Sequence, residues 1–464
     1  MHTPSPKVAD PAPIDRLRRP LEQLIHFENI SGIALIAAAA VAIVAANTAL
    51  GDDLDRFWHT HLEVSVGPIS IDESLLHWVN DGLMTVFFLV AGLEIKRELV
   101  AGDLREPRKA ALPVLGALGG MIVPALLYLA VSGSEGRAGW GIPMATDIAF
   151  AVGVLTLLGN RVPSPLKVFL LTLAIVDDLG AILVIALFYT ASLDLVALGL
   201  AGAGLAAIAV LRWAGVWWIP VYVMLGIGVW LATFESGVHA TLAGVACGLM
   251  APARPHRPNR TEVLATPDST FHELQAILFD ARETVSVADR LIFALHPWTA
   301  LLIIPVFALA NAGVAMSGAA LSAAAASPVA QAIVVGLVIG KPVGIAAAAW
   351  LAVRIGIAKL PDRVGWSQVI GVAGLGGIGF TVSLFITDLA FESETIVANA
   401  KVGVLFASVV AAGIGAGLLV GNASPKPDRL GPITFDELDR TPPPAMLAKP
   451  GTRVGQGAAG GRSH

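Results

Sequence analysis

Asp177 and Asp178 stand side by side in the middle of LKVFLLTLAIVDDLGAILVIALFY, residues 166–189, a run otherwise apolar and long enough to cross a bilayer. An ionised side chain at membrane depth costs several kcal/mol, so an intramembrane acid is read first as a functional group. Three more charges lie in surroundings as apolar: Asp81 in WVNDGLMTVFF, Asp147 in PMATDIAFAVGV and Lys341 in VIGKPVGI. Four acids and one base in hydrocarbon make a site suited to a cation, with Lys341 as a partial internal counter-ion. Neighbouring residues on a helix point about 100° apart, so of Asp177 and Asp178 one faces the ion directly while the other meets Lys341. Plain salt bridges between helices are the competing explanation, and they are weakened by the poor stabilisation that buried ion pairs give relative to apolar packing.

The elements that position these residues are membrane helices. The chain is 55% hydrophobic and 14% charged, with a mean hydropathy of +0.74, against roughly 25% charged in soluble domains. This composition describes an all-α polytopic membrane protein and excludes a soluble enzyme. The 48 glycines and long alanine runs suit helices that pack through small residues. Apolar stretches of about 20 residues fall at twelve places: roughly 30–49, 75–95, 110–131, 139–158, 166–190, 193–211, 216–234, 237–251, 295–316, 328–353, 366–387 and 395–420. Lys and Arg gather in alternate loops, among them Arg97, Arg105, Lys109, Arg161, Lys167, Arg354 and Lys359. The positive-inside rule then places both termini of this multi-pass chain in the cytoplasm. Residues 1–29 are polar, Pro-rich and basic, without the apolar core of a signal peptide. Residues 421–464 carry Pro, Gly and charge without periodicity and are expected to be a disordered cytoplasmic tail. The single Cys247 excludes an intrachain disulfide.

Within the transmembrane domain, 30–420, two insertions stand out. In residues 62–72, Val64, Val66, Ile69 and Ile71 alternate with polar residues around Gly67-Pro68, predicting a small periplasmic β-hairpin. An isolated hairpin is marginal in water, so it is expected to pair with its copy in a homodimer. In the cytoplasmic loop 252–294, Thr270-Phe271-His272-Glu273 forms a capping box, with Phe271, Leu274, Ile277 and Leu278 on one face of an amphipathic helix. Two spans also carry features that interrupt a helix: Pro143 ahead of the Thr146-Asp147 pair, and the Gly-dense run GVAGLGGIGFTVS, residues 371–383. Interrupted spans in corresponding positions point to a transport site between inverted repeats.

The runs WVNDGLMTVFFLVAGLEIKREL, PMATDIAFAVGVL, LAIVDDLGAILVIALFYT, SGVHATLAG, LHPWTALLIIPVFALANAGV and GKPVGI resemble NhaA-type bacterial sodium/proton antiporters, in order and over nearly all of residues 20–420. The resemblance implies a bacterial inner (plasma) membrane location, and the family is itself one in which interrupted helices of inverted repeats build the ion site. The resemblance implies a twelve-helix fold whose fourth and eleventh helices unwind and cross at the membrane midplane, with Asp147 and Lys341 compensating the half-helix dipoles. It implies that Asp177 and Asp178 carry sodium and protons and that Thr146 supports them. Asp81, Glu94, Arg97 and Glu98 would line the cytoplasmic funnel. His239 matches a family position linked to pH response. Family members can carry an acidic and His cluster just before the LHPW motif; here the segment reads ADRLIFALHPW, keeping His296 but placing Ile292 and Phe293 where such groups would stand. His272 and Glu273 in the longer loop, with Asp280 and Glu283, are the candidates to replace that cluster.

The expected activity is electrogenic, pH-regulated expulsion of Na+, and of Li+, in exchange for H+. Cation and protons would compete for the same carboxylate oxygens, a hard cation preferring oxygen ligands, and the loaded site would alternate between the two faces. No GxxxxGK[ST] phosphate loop occurs, so the proton gradient is the expected energy source, with no cofactor, no enzymatic step and no nucleic-acid partner. An intramembrane aspartyl protease would also need buried acids, but no GxGD sequence is present. A channel would not need a lysine beside its acids.

Overall fold

The computed structural model describes residues 28–66, 69–190, 193–216, 218–253, 286–361 and 364–421. The expected amphipathic helix with His272 and Glu273, the segment before residue 28 and the tail beyond residue 421 lie outside the described residues.

The described chain is mostly helix. It begins with α1 (Glu28–Ala46) and α2 (Gly51–Trp58), then the hairpin β1 (His61–Val66) and β2 (Ile69–Ser74). A turn of helix, Leu75–His77, and a wide π-turn, Trp78–Leu83, lead into α3 (Met84–Val100). There follow α4 (Pro107–Val131), a 3-10 helix Arg137–Met144, α5 (Ile148–Leu157), α6 (Ser164–Phe188), α7 (Leu195–Trp213), α8 (Ile219–Glu235) and α9 (Thr241–Met250). The second part holds α10 (Val287–Trp298), α11 (Ile304–Asn311), α12 (Gly318–Ala326), α13 (Pro328–Val335), α14 (Lys341–Arg354), α15 (Trp366–Gly376), α16 (Phe380–Ala390) and α17 (Glu394–Gly421). Seven described helical stretches are long and apolar enough to cross a membrane, or up to nine if each of two bent pairs is one span.

Three expected spans have different limits. The run 30–49 ends early: α1 stops at Ala46 and the chain bends by 115° into α2. Asp52, Asp53 and Asp55 keep α2 out of hydrocarbon, and none of its residues is buried. Asn47 fixes the bend, donating to Val314 O at 2.9 Å and accepting from Met316 N at 2.6 Å. The expected span 237–251 is helical only over Thr241–Met250, because Gly237 takes φ +76° and ends α8 in the left-handed region that glycine tolerates. The loop 252–294 is too long at its far end. Ser286 Oγ accepts from Asp289 N at 3.1 Å and donates to Asp289 Oδ2 at 2.6 Å, so α10 starts at Val287.

Two π-turns, Thr299–Ile303 and Gly336–Gly340, each run up to a proline, Pro305 and Pro342. Proline lacks the N–H that would close a normal turn and its ring crowds the preceding carbonyls, so the helix widens ahead of it. Small residues then bring backbones together. A Cβ on Gly119 would stand 2.2 Å from Gly344 O, and one on Gly344 would stand 2.1 Å from Gly119 O. Backbone contact between α4 and α14 thus holds the start of α14, where Lys341 stands, against α4.

The hairpin is antiparallel, with Val64 opposite Ile71 and Glu63 opposite Asp72. Side-chain period 2 gives it one apolar face, where Leu62 and Val64 are exposed and Ile71 is buried. On the other face Glu63 accepts from Ser70 (2.7 Å) and Ser65 (2.8 Å), which lowers its pKa from the usual carboxylate value.

Candidate functional site

Two helices are interrupted where the sequence suggested. Between the 3-10 helix Arg137–Met144 and α5, residues 145–147 are non-helical. Between α15 and α16 the break covers 377–379, with a bend of 43°. Backbone freed in hydrocarbon must find partners inside the protein, and here the breaks satisfy each other. Asp147 N donates to Ile378 O at 2.7 Å, and Ser383 Oγ to Ile142 O at 2.7 Å. Gly377 has no room for a side chain, since a Cβ would come within 2.4 Å of Leu337 O.

Asp147 is the N-cap of α5, its Oδ1 accepting from Phe150 N at 2.9 Å. Its Oδ2 accepts from both Thr381 N (3.0 Å) and Thr381 Oγ1 (2.7 Å), in the first turn of α16. One carboxylate therefore serves the positive ends of two half-helices, and both its oxygens are engaged.

Asp177 and Asp178 come from the unbroken α6 and point to different neighbours. Asp177 Oδ2 meets Lys341 Nζ at 3.0 Å and accepts from Thr146 Oγ1 at 2.8 Å. Both charged side chains of that pair are fully buried. Lys341 Nζ also donates to Met144 O, the last carbonyl of the 3-10 helix and so its negative end. Thr146 Oγ1 lies 3.0 Å from Gly376 O as well, at the end of α15. Having one proton to give, it bridges these two acceptors in turn.

Two carboxylate oxygens remain open. Asp177 Oδ1 and Asp178 Oδ1 are buried without a hydrogen-bond partner. Asp178 itself is 5% exposed. Three carboxylates, Asp147, Asp177 and Asp178, thus share a dry region with one ammonium, and the unmet capacity is concentrated on the Asp177-Asp178 pair. Unpaired buried acceptors carry a desolvation cost that a proton or a small hard cation relieves. No group of three or more His, Cys, Asp or Glu able to hold a metal occurs among the described residues.

Asp81 does not join the residues with which it was grouped. It lies in the π-turn just after the hairpin, in a small pocket with Ile71, Glu73, His77, Trp78, Trp230 and Phe234. Glu94, Arg97 and Glu98 are at the opposite end of the same helical segment, about 20 Å away at ~1.5 Å per residue. Asp81 therefore belongs to the hairpin end and not to a shared cytoplasmic funnel. At the other end Glu94 is half-buried, and Arg97 approaches Glu98 at 3.9 Å.

Of the histidines, His239 Nε2 bonds Tyr189 O at 2.7 Å. The Tyr189 hydroxyl in turn donates to Ala138 O at 2.7 Å and accepts from Gly141 N at 3.2 Å, so His239 is two steps from the interrupted helix. His296 is exposed on α10. His272 and Glu273 lie outside the described residues. Sequence reasoning passed over Thr381, which completes the Asp147 cap, and Asp388, which pairs with Lys401 at 2.8 Å.

Residues 22–419 match a family model described as Na+/H+ antiporter 1. The Na(+)/H(+) antiporter NhaA of Rhodopirellula baltica is 49% identical over 435 residues, 90% of this chain and 97% of that protein. The antiporter of the same name in Oleidesulfovibrio alaskensis is 45% identical over 424 residues, covering 87% and 94%. Na(+)/H(+) antiporter NhaA 3 of Frankia alni is 44% identical over 448 residues, covering 93% and 96%.

Proposed function

This chain belongs to the NhaA-type Na+/H+ antiporter family, a family of transporters and not of enzymes, and from that premise we propose a mechanism in which sodium and protons compete for Asp177 and Asp178. The observation that carries it is the pair of buried, unpartnered oxygens, Asp177 Oδ1 and Asp178 Oδ1. Asp178 is the principal ion ligand, because no lysine holds it as Lys341 holds Asp177. Sodium arriving at these oxygens displaces protons, and protons arriving displace sodium. Net charge moves because the site takes up more protons than sodium ions, so exchange is electrogenic. Li+, smaller and harder, uses the same oxygens.

Alternation of access comes from the two interrupted helices, read as corresponding members of inverted repeats within a twelve-span fold. Asp147 and Lys341 hold the half-helix ends in register while their flanks move. In this proposal the hairpin lies in the periplasm, both termini lie in the cytoplasm, and the protein sits in the inner membrane as a homodimer joined through the hairpin. His239 is assigned to pH regulation, supported by its link through Tyr189 to the 3-10 helix.

Everted membrane vesicles give the direct test. Addition of Na+ to vesicles with an established proton gradient is expected to release protons, and Asp178→Asn, which keeps size but removes charge and proton, is expected to abolish the signal at every pH while the protein still inserts. Sodium-dependent proton movement by Asp178→Asn at more than about a tenth of the wild-type rate, a loss of under ~1.4 kcal/mol in barrier terms, would overturn the mechanism.

A further inference from the structure

A second charge pair, not used by the exchange site, lies further along α16 toward the hairpin end. From Thr381 to Asp388 the helix rises about 10 Å at ~1.5 Å per residue, so Asp388 stands roughly that far from the Asp147 contact. Lys401 of α17 meets Asp388 Oδ1 at 2.8 Å, and the two side chains are only 12% and 20% exposed. The other oxygen, Asp388 Oδ2, is buried without a hydrogen-bond partner. Lys401 Nζ also approaches Asn311 Oδ1 at 3.5 Å. Asn311, 2% exposed at the end of α11, donates to Asn80 Oδ1 at 2.9 Å. Asn80 adjoins Asp81, whose pocket with Glu73 and His77 lies at the hairpin end. Oxygen-bearing side chains therefore lead from the pocket beside the hairpin to Asp388, at the far end of the half-helix whose first turn bonds Asp147.

A lysine ammonium is a cation on a tether. Here it occupies the point where a carboxylate and an amide oxygen converge, the ligand types that a small hard cation takes. Apolar packing would stabilise these helices at least as well as a buried ion pair, and the pair as built leaves one acceptor, Oδ2, unmet at a cost. Both features are explained if the place of Lys401 is meant to be contested. We infer that Asp388, with the side-chain oxygen of Asn311, is a transit site for the transported monovalent cation on the hairpin side of the exchange site, and that Lys401 regulates its occupancy. An incoming cation takes the Asp388 oxygens as Lys401 swings aside, and the return of Lys401 expels it. One cation replaces another on one carboxylate, and no bond is made or broken.

This rests on the sodium-exchange reading above, and the test separates the two. Oriented proteoliposomes are used to measure the KM for Na+ at each face for wild type, Asp388→Asn, Lys401→Gln and the double variant. Asp388→Asn is expected to raise the hairpin-side KM about tenfold, the ratio that corresponds to ~1.4 kcal/mol of lost binding, while the opposite-face KM stays within about twofold. Lys401→Gln is expected to lower the hairpin-side KM and slow the maximal rate, since the freed carboxylate holds its ion longer. The double variant strands no charge and so stands in for either single variant that fails to fold. It must still show the raised hairpin-side KM. Equal shifts at both faces, or a double variant with wild-type values at both, would overturn the transit site. A wild-type protein without sodium-dependent proton movement would instead refute the exchange reading itself.

Discussion

At the scale of single residues, the chemistry is set by which buried oxygens are satisfied. Asp177 is held by Lys341 and Thr146 on one oxygen only, so removing Lys341 strands a charge. Lys341→Ala is expected to lower stability by roughly 3–5 kcal/mol, read as a fall in the melting temperature of the detergent-solubilised protein. Adding Asp177→Asn to it should recover part of that loss. Absence of recovery would show that the two groups are not energetically coupled. These residues were legible in the sequence because the bilayer makes a charge in an apolar run conspicuous. Asp388 in FITDLAF falls under the same rule but stands one residue beyond the apolar span 366–387. Thr381 gave no such signal, since a threonine is cheap in a helix and its role depends on a partner 234 positions away. Asp81 is distant from Glu94, Arg97 and Glu98 for a different reason: a motif groups residues by sequence, whereas a helix separates its two ends.

At the scale of elements, the interruption at residues 145–147 and its counterpart at 377–379 were readable from Pro143, Thr146, Asp147 and the glycine run. Their mutual contact was not, because hydrogen bonding between the breaks is set by tertiary packing. The Asp147–Thr381 bond is the most exposed to test. Thr381→Val keeps the shape of the side chain and removes the Oγ1 donor, leaving only the backbone N–H on Asp147 Oδ2. A loss of about 1.5–3 kcal/mol is expected, as for hydrogen bonds to charged groups, together with slower exchange. Thr381→Ser, which keeps the donor, should restore most of both. Helix ends were the least legible feature. The start of α10 hung on the Ser286–Asp289 cap, inside what looked like a loop, and the end of α1 on the bonds of Asn47 to residues 314 and 316.

At the scale of the whole molecule, the hairpin is built of two strands that pair chiefly with each other. Its exposed Leu62 and Val64 and its two free strand edges suit a second copy. Deleting Val64 to Ile71 is expected to give monomers that still exchange sodium for protons, and crosslinking in membranes measures the dimer fraction. An unchanged fraction would move the interface elsewhere. The pH dependence has a defined sign. The pKa of Glu63 in the folded hairpin is lowered by Ser70 and Ser65. Its contribution to hairpin order is therefore present above the ordinary glutamate value and lost as pH falls through the lowered folded value. Protection factors of the hairpin amides, corrected for intrinsic exchange at each pH, should fall over that acid range in the wild type, and Glu63→Gln should remove the dependence.

The carboxylate shared by two half-helices also constrains how the protein is made. Asp147 and its partner Thr381 are 234 residues apart, and at ~5–20 residues synthesised per second the ribosome needs on the order of ten seconds or more to cover that distance. Throughout that interval the fourth expected span is in or near the membrane with an acid whose second cap does not yet exist. Its final setting is then a late event in biogenesis, waiting on the arrival of α16. Chains truncated before residue 366 should engage the membrane and yet remain targets for quality-control proteases, and Asp147→Asn in the same truncated chain should lengthen their lifetime in a pulse-chase experiment.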